Sequence, residues 1–325
     1  MGELAVIINS YNRIGLLKDA LSSVTEALRR CEKTGEVFVF EAGSEDGSLQ
    51  YLREKQATSD VPLRIIEPGP QEDTSFAAGV NRAIKEAENR LSNLKWCLLY
   101  ETDNYIQRPE ALREALDLIE NRPELGALGF TVERHNGRKA GYGERFPTVS
   151  SFVLGQQISA VLNLLEPQPE WQEEAGHRFS YSDVVYTSPL LVSHECWTEV
   201  GGMDQEVFPF TGSDVDLCWR ISKSGKKCGV LDTEGVIHDN RQIQSEWSAN
   251  RVLRFHESRW KLLSRHRGMN EVAVRSGLFL RHVLEIFGLL VLFLVGRRPA
   301  KKISSRLKLL NRLVDGYSRR SSKIE

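Results

Sequence analysis

Leu98-Leu99-Tyr100-Glu101-Thr102-Asp103-Asn104 is the stretch from which the fold can be read. Trp96 to Tyr100 is apolar and partly aromatic, too short for a helix, and reads as a buried strand. It ends abruptly in two carboxylates, Glu101 and Asp103, one residue apart. Acids at the carboxyl end of a strand stand where open α/β sheets bind ligands. At that spacing both can turn towards one point once the chain leaves the strand. Such a pair suits a hard divalent cation, which takes oxygen ligands and shares them with substrate phosphates. A solvated loop with ordinary surface acids would look the same in isolation, so the rest of the chain has to decide.

Working outward, Leu4 to Ile8 is a nearly continuous apolar run, as in a strand buried on both faces. The polar turn Asn9-Ser10-Tyr11-Asn12-Arg13 follows, and then Leu16, Leu17, Ala20, Leu21 and Val24 recur at helical spacing. Val37 to Phe40 is a second strand, running into the turn-rich Glu41-Ala42-Gly43-Ser44-Glu45-Asp46-Gly47-Ser48. Leu49 and Leu52 open a helix, Leu63 to Ile66 is a third strand, and Phe76 to Asn81 leads into a helix through Ala87. Strands alternating with helices predict a largely parallel sheet covered on both faces. Beyond the acid pair, the pattern predicts a helix over 109–119 with proline in its first turn and a strand over 125–132. Residues 133–182 read as loops with a short helix around 156–165, followed by a strand over 184–192. Helices are then expected over 194–200, ended by Gly201-Gly202, and over 214–222. Short strands at 228–231 and 235–238 complete this part of the chain.

With 41% apolar and 27% charged residues among 325, the composition is that of a folded protein, large enough for one domain with an extension or for two. Five cysteines with no CxxC pair suggest neither a disulfide framework nor a zinc knuckle, and fit a reducing cytoplasm. Leu4 to Ile8 is too short for the apolar core of a signal peptide. The net charge of −1 hides an asymmetry: residues 241–325 hold nineteen Lys or Arg against six Asp or Glu, or +13, leaving −14 for residues 1–240. A body and a basic tail with an anionic partner, nucleic acid or membrane, is one reading; mutual neutralisation of the halves is the other.

In their order along residues 4–240, these pieces resemble the family 2 glycosyltransferases, which have the GT-A fold. Val6-Ile7-Ile8-Asn9-Ser10-Tyr11-Asn12-Arg13 is similar to the family's first strand and nucleotide loop. Gly43-Ser44-Glu45-Asp46-Gly47-Ser48 looks like its second-strand turn, and Ala78-Gly79-Val80-Asn81-Arg82-Ala83-Ile84 like its third block. Glu101-Thr102-Asp103 sits where the family has its DxD metal motif. Val200-Gly201-Gly202-Met203-Asp204, Phe208, Gly212, Asp214 to Arg220, Gly225 and Val236-Ile237-His238 resemble the acceptor-side block of a rhamnosyltransferase-like branch. The resemblance implies a Rossmann-like α/β/α sandwich with a mostly parallel central sheet over 1–240, and a helical extension over 241–325. It also implies inverting transfer of a hexosyl or deoxyhexosyl group from a nucleotide diphosphate sugar to a hydroxyl of a glycan or lipid-linked acceptor in cell-surface polysaccharide synthesis. A catalytically degenerate, glycan- or nucleotide-sugar-binding relative is the alternative. A nucleotidyltransferase lacks support, because no Gly-rich, Lys-containing phosphate loop follows the first strand.

Carried onto this chain, the resemblance makes Asp103 a ligand for Mn2+ or Mg2+, with Glu101 assisting or touching the ribose; spacing measured back from Pro109 points to Asn104 instead. His238 is a further candidate metal ligand. Asn9, Tyr11, Glu41, Asn81 and Glu101 are candidate nucleotide-binding residues. Glu41, where the family usually has Asp, either holds the base or caps its own turn. Asp214 is the candidate general base, or a helix N-cap, with Ser213 in place of the family's Glu; Asp216 suits the helix dipole.

Downstream, a basic helix is expected over 247–263. The apolar stretch 278–295 has an uninterrupted part, 286–296, of eleven residues. A spanning helix needs about 20 residues, so the stretch reads as too short to cross. Arg297, Arg298, Lys301, Lys302, Arg306 and Lys308 follow at once. An apolar helix with a polybasic flank predicts attachment to an anionic membrane surface on the cytoplasmic side, without nucleic acid as a partner; a helix buried against the core or in a dimer is the other reading.

Overall fold

In the computed structural model the elements follow as β1 (Leu4–Ser10), α1 (Ile14–Arg30), β2 (Gly35–Glu41), α2 (Ser48–Thr58), β3 (Leu63–Ile66), α3 (Phe76–Arg90), β4 (Trp96–Leu99), β5 (Asn104–Ile106), α4 (Glu110–Glu120), β6 (Leu125–Phe130), β7 (Val132–Glu133) and β8 (Lys139–Gly141). They continue as α5 (Val149–Leu154), α6 (Gln156–Val161), β9 (Trp171–Glu174), β10 (His177–Ser182), β11 (Leu190–Ser193), α7 (His194–Val200), α8 (Ser213–Lys223), β12 (Lys227–Leu231), β13 (Val236–His238), α9 (Ala249–Arg267), α10 (Glu271–Leu294) and α11 (Ala300–Asp315). The structure describes residues 2–134, 137–141, 143–164, 170–174, 176–238, 249–295 and 300–315.

β1 shows why the run is apolar throughout. Successive side chains of a strand point to opposite faces. Leu4, Val6 and Ile8 enter one core with Leu17, Leu21, Val24 and Leu28 of α1, whereas Ala5 and Ile7 enter another with Val80, Ala83, Ile84 and Ala87 of α3. Nine strands lie side by side in the order β3-β2-β1-β4-β11-β6-β12-β10-β9. β3, β2, β1 and β4 are parallel, and only β11 and β10 run against their neighbours. The chain lays β2 and β3 on one side of β1 and then returns to place β4 on the other. The carboxyl ends of β1 and β4 therefore flank a switch point, the place where open sheets of this kind bind ligands.

A smaller sheet, β5-β13-β7-β8, forms beyond those strand ends. Its antiparallel β5–β13 pairing sets His238 opposite Asn104 and Ile237 opposite Tyr105. β8, β9 and β10 form within 133–182, which the sequence reading left as loops; these short strands alternate too weakly to register as a period. The strand expected over 184–192 narrows to β11, because Pro189 can donate no ladder hydrogen bond and sits immediately before it.

Two compact units divide the chain: Met1–Phe146 with Gln168–Arg241, and Pro147–Pro167 with Gln242–Glu325. The second unit is helical and takes in α5 and α6, which the sequence reading kept with the sheet. Within it, Val274, Leu278 and His282 of α10 and Leu309 and Leu313 of α11 are buried. Glu285 accepts from Arg281 Nε at 2.8 Å and from Arg306 Nε, joining α10 to α11, and Arg312 donates to Glu257 at 2.6 Å, joining α11 to α9. α10 has 24 residues, far longer than its uninterrupted apolar run, because Arg281, His282 and Glu285 pair with other groups of this unit and do not end the helix. By length and composition it could cross a membrane, so the expectation that the segment is too short does not hold for the helix as formed. Trp247, Leu165 and residues 296–299 lie outside the described residues.

Candidate active site

β4 delivers the two acids. Tyr100, buried at its end, hydrogen-bonds Ser23 Oγ at 2.8 Å and accepts from Ile106 N at 3.1 Å. These contacts fix the start and the exit of a tight turn, closed by Asn104 N donating to Glu101 O at 3.0 Å. The i and i+2 residues of that turn are Glu101 and Asp103.

Within the turn the polar atoms are satisfied unevenly. Asn104 is 1% exposed and its amide is committed on both sides: Nδ2 donates to Thr187 O at 3.1 Å, and Oδ1 accepts from His238 Nδ1 at 2.8 Å. Asp103 is buried, yet among the described residues its Oδ1 has no hydrogen-bond partner. His238 Nδ1 stands 3.5 Å from that atom, and Arg13 Nη1 stands 3.7 Å from Oδ2. A buried oxygen left unpaired is costly, and a cation would relieve it. Of the two positions the sequence left open, Asp103 has the vacant donor and Asn104 has none to spare. With Nδ1–H turned to Asn104 Oδ1, Nε2 is the ring nitrogen that can offer a lone pair.

Thr187 Oγ1 donates to Glu101 Oε1. Burial, the nearby Asp103 charge and, more weakly, Asp214 push the Glu101 carboxyl up to about 8. Glu101, Asp214 and His238 line one cavity of about 540 Å³ with Tyr186, Thr187 and Glu144. Asp214 is the second residue of α8, whose N-cap is Gly212 in the left-handed region (φ 85°) with no side-chain cap. The N-cap position of α8 is thus Gly212 and not Asp214, since glycine's backbone already makes the turn; Asp214 Oδ1 accepts from Val215 N at 2.8 Å. Asp216 is fully buried and pairs with Arg220 Nε at 2.8 Å, a structural ion pair within the helix.

The remaining candidates serve the loops. Glu41 is 1% exposed and accepts from Gly43 N and Ser44 N, each at 3.0 Å, and from Ser44 Oγ: it caps its own turn. Asn9 Nδ2 donates to Phe76 O at 3.1 Å and lies so close to Gly79 that a Cβ there would collide with it and come within 2.6 Å of the Phe40 ring. Tyr11 is 58% exposed beside the switch point. Asn81 Nδ2 donates to Met203 O at 2.8 Å and Oδ1 accepts from Met203 N at 3.0 Å, so it pins the loop after α7. It lines a separate cleft of about 350 Å³ with Phe40, Asp73, Arg82 and Gln205.

Sequence reasoning missed Glu144, Tyr186 and Thr187. Pro189 was the available signal: it cannot extend the supposed strand, and residues 186–188 before it line the cavity.

Among the described residues no three His, Cys, Asp or Glu side chains converge as a metal cage. The vacant Asp103 Oδ1 with His238 beside it is a partial set, which fits a divalent cation completed by substrate phosphates and water.

The profile of Glycosyl transferase family 2 matches residues 5–171, about half of the chain and all of the sheet's parallel half. The chain belongs to glycosyl transferase family 2. Relatives include the pre-mycofactocin glycosyltransferase of Mycobacterium tuberculosis, 25% identical over 166 residues, covering 48% of this chain and 35% of that protein. The uncharacterized glycosyltransferase YfnE of Bacillus subtilis is 28% identical over 132 residues, covering 41% and 31%. The chain thus spans about a third of the length of these curated relatives. Among solved structures, the mannosyltransferase PcManGT from Pyrobaculum calidifontis, in complex with GDP-Man and Mn2+, superposes with a TM-score of 0.54 at 14% identity, covering 95% of this chain and 80% of that one. S. aureus TarS 1-349 in complex with UDP-GlcNAc gives 0.53 at 15%, covering 86% and 71%. The shared feature is the fold: this family 2 member has the GT-A fold, a mixed α/β sheet with helices following it.

Proposed function

We propose that residues 1–240 transfer a sugar, with inversion, from a nucleotide diphosphate sugar to a hydroxyl of a glycan or lipid-linked acceptor in cell-surface polysaccharide synthesis, with 241–325 as a helical extension. The observation that carries this reading is the shared cavity: Asp214, Glu101 and His238 face it together, and the unsatisfied Asp103 Oδ1 lies in the turn at its edge. Asp103 and His238 would hold a divalent cation with the donor diphosphate. When bound, the cation acts as a Lewis acid for charge developing on the leaving phosphate. Arg13 adds a fixed positive charge beside Asp103. Asp214 takes the acceptor proton as general base, and Glu101 assists at the cation or contacts the donor's ribose. Asn9 and Tyr11 shape the nucleotide end, while Glu41 and Asn81 hold the loops around it. A deoxyhexosyl donor of the rhamnosyl kind is the sugar suggested by the acceptor-side block from Val200 to Arg220.

Two variants test the assignment. Asp103→Ala should abolish the Mn2+-dependent part of nucleoside diphosphate affinity, read as a thermal shift with and without chelator. Asp214→Asn should lower turnover on a nucleotide-sugar panel by about 100-fold or more, with nucleotide affinity close to unchanged. A wild-type protein that binds nucleotide yet turns over no member of the panel would favour the alternative, a degenerate binding relative. That alternative draws on the Arg13–Asp103 contact, which already places a cation at the acid.

A further inference from the structure

We propose that α10 lies in the interface of an anionic bilayer, with one apolar stripe sunk at the acyl boundary and the basic start of α11 among the headgroups. Leu280, Leu284, Phe287, Val291 and Leu294 recur at steps of four and three residues, which places them on one face of the helix. They are 46–82% exposed. The buried residues of α10, Val274, Leu278 and His282, form a different stripe, which packs within the helical unit. A helix whose outward face is apolar over four turns is not built for water.

Two occupants fit such a stripe, and charge separates them. Residues 297–314 contain seven Lys or Arg and no Asp or Glu; Lys302 and Lys308 are exposed on α11, which runs back along α10 through the Arg306–Glu285 pair. A second copy of the chain would bring the same charge against itself. An anionic lipid surface complements it, and lysine stems can lie along apolar surface with their ammonium groups in the headgroup layer. A full crossing is disfavoured by the first half of α10. Arg281 donates to Phe152 O at 2.9 Å, and Glu285 joins Arg281, His282 and Arg306, so one side of this half is tied to the rest of the helical unit. Only 286–295 are free of such ties, about 15 Å of helix against a hydrocarbon core of about 30 Å. The inference does not depend on the sugar-transfer reading, because it concerns attachment alone.

The test is co-sedimentation of the full chain with neutral phosphatidylcholine vesicles and with vesicles containing about 30% phosphatidylglycerol. Binding is expected to the anionic vesicles only, to weaken in about 1 M salt, and to resist neither carbonate nor detergent. Leu284→Ser with Phe287→Ser should lower the partition at least about tenfold, and Lys302→Glu with Lys308→Glu should do so at low salt only. All four positions are exposed, and an unchanged circular dichroism melt excludes misfolding as the cause. Equal binding to neutral vesicles, or indifference to either double variant, overturns the proposal. A lipid-free dimer abolished by the stripe variant would overturn it in favour of self-association, and carbonate-resistant insertion would do so in favour of a span.

Discussion

Two glutamates follow the strands on either side of β1, Glu41 after β2 and Glu101 after β4, and they differ in what surrounds them. Glu41, at the end of β2, meets two backbone N–H groups and a hydroxyl within its own turn. Glu101, just past β4, meets one threonine hydroxyl from a distant segment and the negative charge of Asp103. The first carboxylate is complete and holds a loop in shape. The second is pushed to about 8 and faces a cavity with Asp214. A site capable of chemistry lies where local satisfaction fails, because an unfilled hydrogen-bond or charge demand is what a ligand can answer.

The contrast can be broken most directly at Glu41. Glu41→Ala should cost about 1–3 kcal/mol of stability, since two backbone donors lose a charged acceptor, and urea unfolding would measure it. A loss near zero would mean that water serves the turn equally well and that Glu41 is available for a nucleobase. Glu101→Gln should cost less than about 1 kcal/mol near pH 4.5, as the amide mimics a protonated acid and still accepts from Thr187. A loss as large as that at Glu41 would erase the distinction. The contrast also shows in pH dependence. The folded value of Glu101 lies above the unfolded one, so its contribution to stability is complete below about 4.5 and is lost as pH rises towards about 8. Unfolding free energy should therefore fall with pH across that window in the wild type, and fall less in Glu101→Gln. A saturating nucleoside diphosphate with Mn2+ should flatten the wild-type slope, because a bound cation favours the ionised carboxylate. Identical slopes in wild type and variant would place the titration elsewhere.

Much of the sheet was legible because its signals are local. Leu4–Ile8 needs only its own composition to read as a strand buried on both faces, and Gly201-Gly202 ends α7 by backbone freedom that is visible in the sequence. The acid turn was legible as a strand end. What could not be read was which of its residues stays unsatisfied: Asn104 and Asp103 are adjacent and similar in size, and only the β5–β13 register brings His238 to one amide and leaves the neighbouring carboxylate oxygen bare. The strand expected over 184–192 forms only from Leu190 onward for a related reason. Its apolar residues suit a strand, but Thr187 is drawn to Glu101, 86 residues away.

The sequence by itself determined the alternation of strands and helices, the family resemblance, the position of the two acids and the charge split between the body and the tail. These follow from side-chain period, turn chemistry and charge, which act over a few residues or do not depend on fold. Tertiary structure decided the rest: that Glu41 caps a turn, that burial and Asp103 raise the Glu101 carboxyl, that Gly212 and not Asp214 stands at the N-cap of α8, and that α10 keeps one stripe inside and an apolar one outside. Each of these depends on how many partners a polar or apolar group finds from distant parts of the chain, and that number is fixed only when the chain has packed.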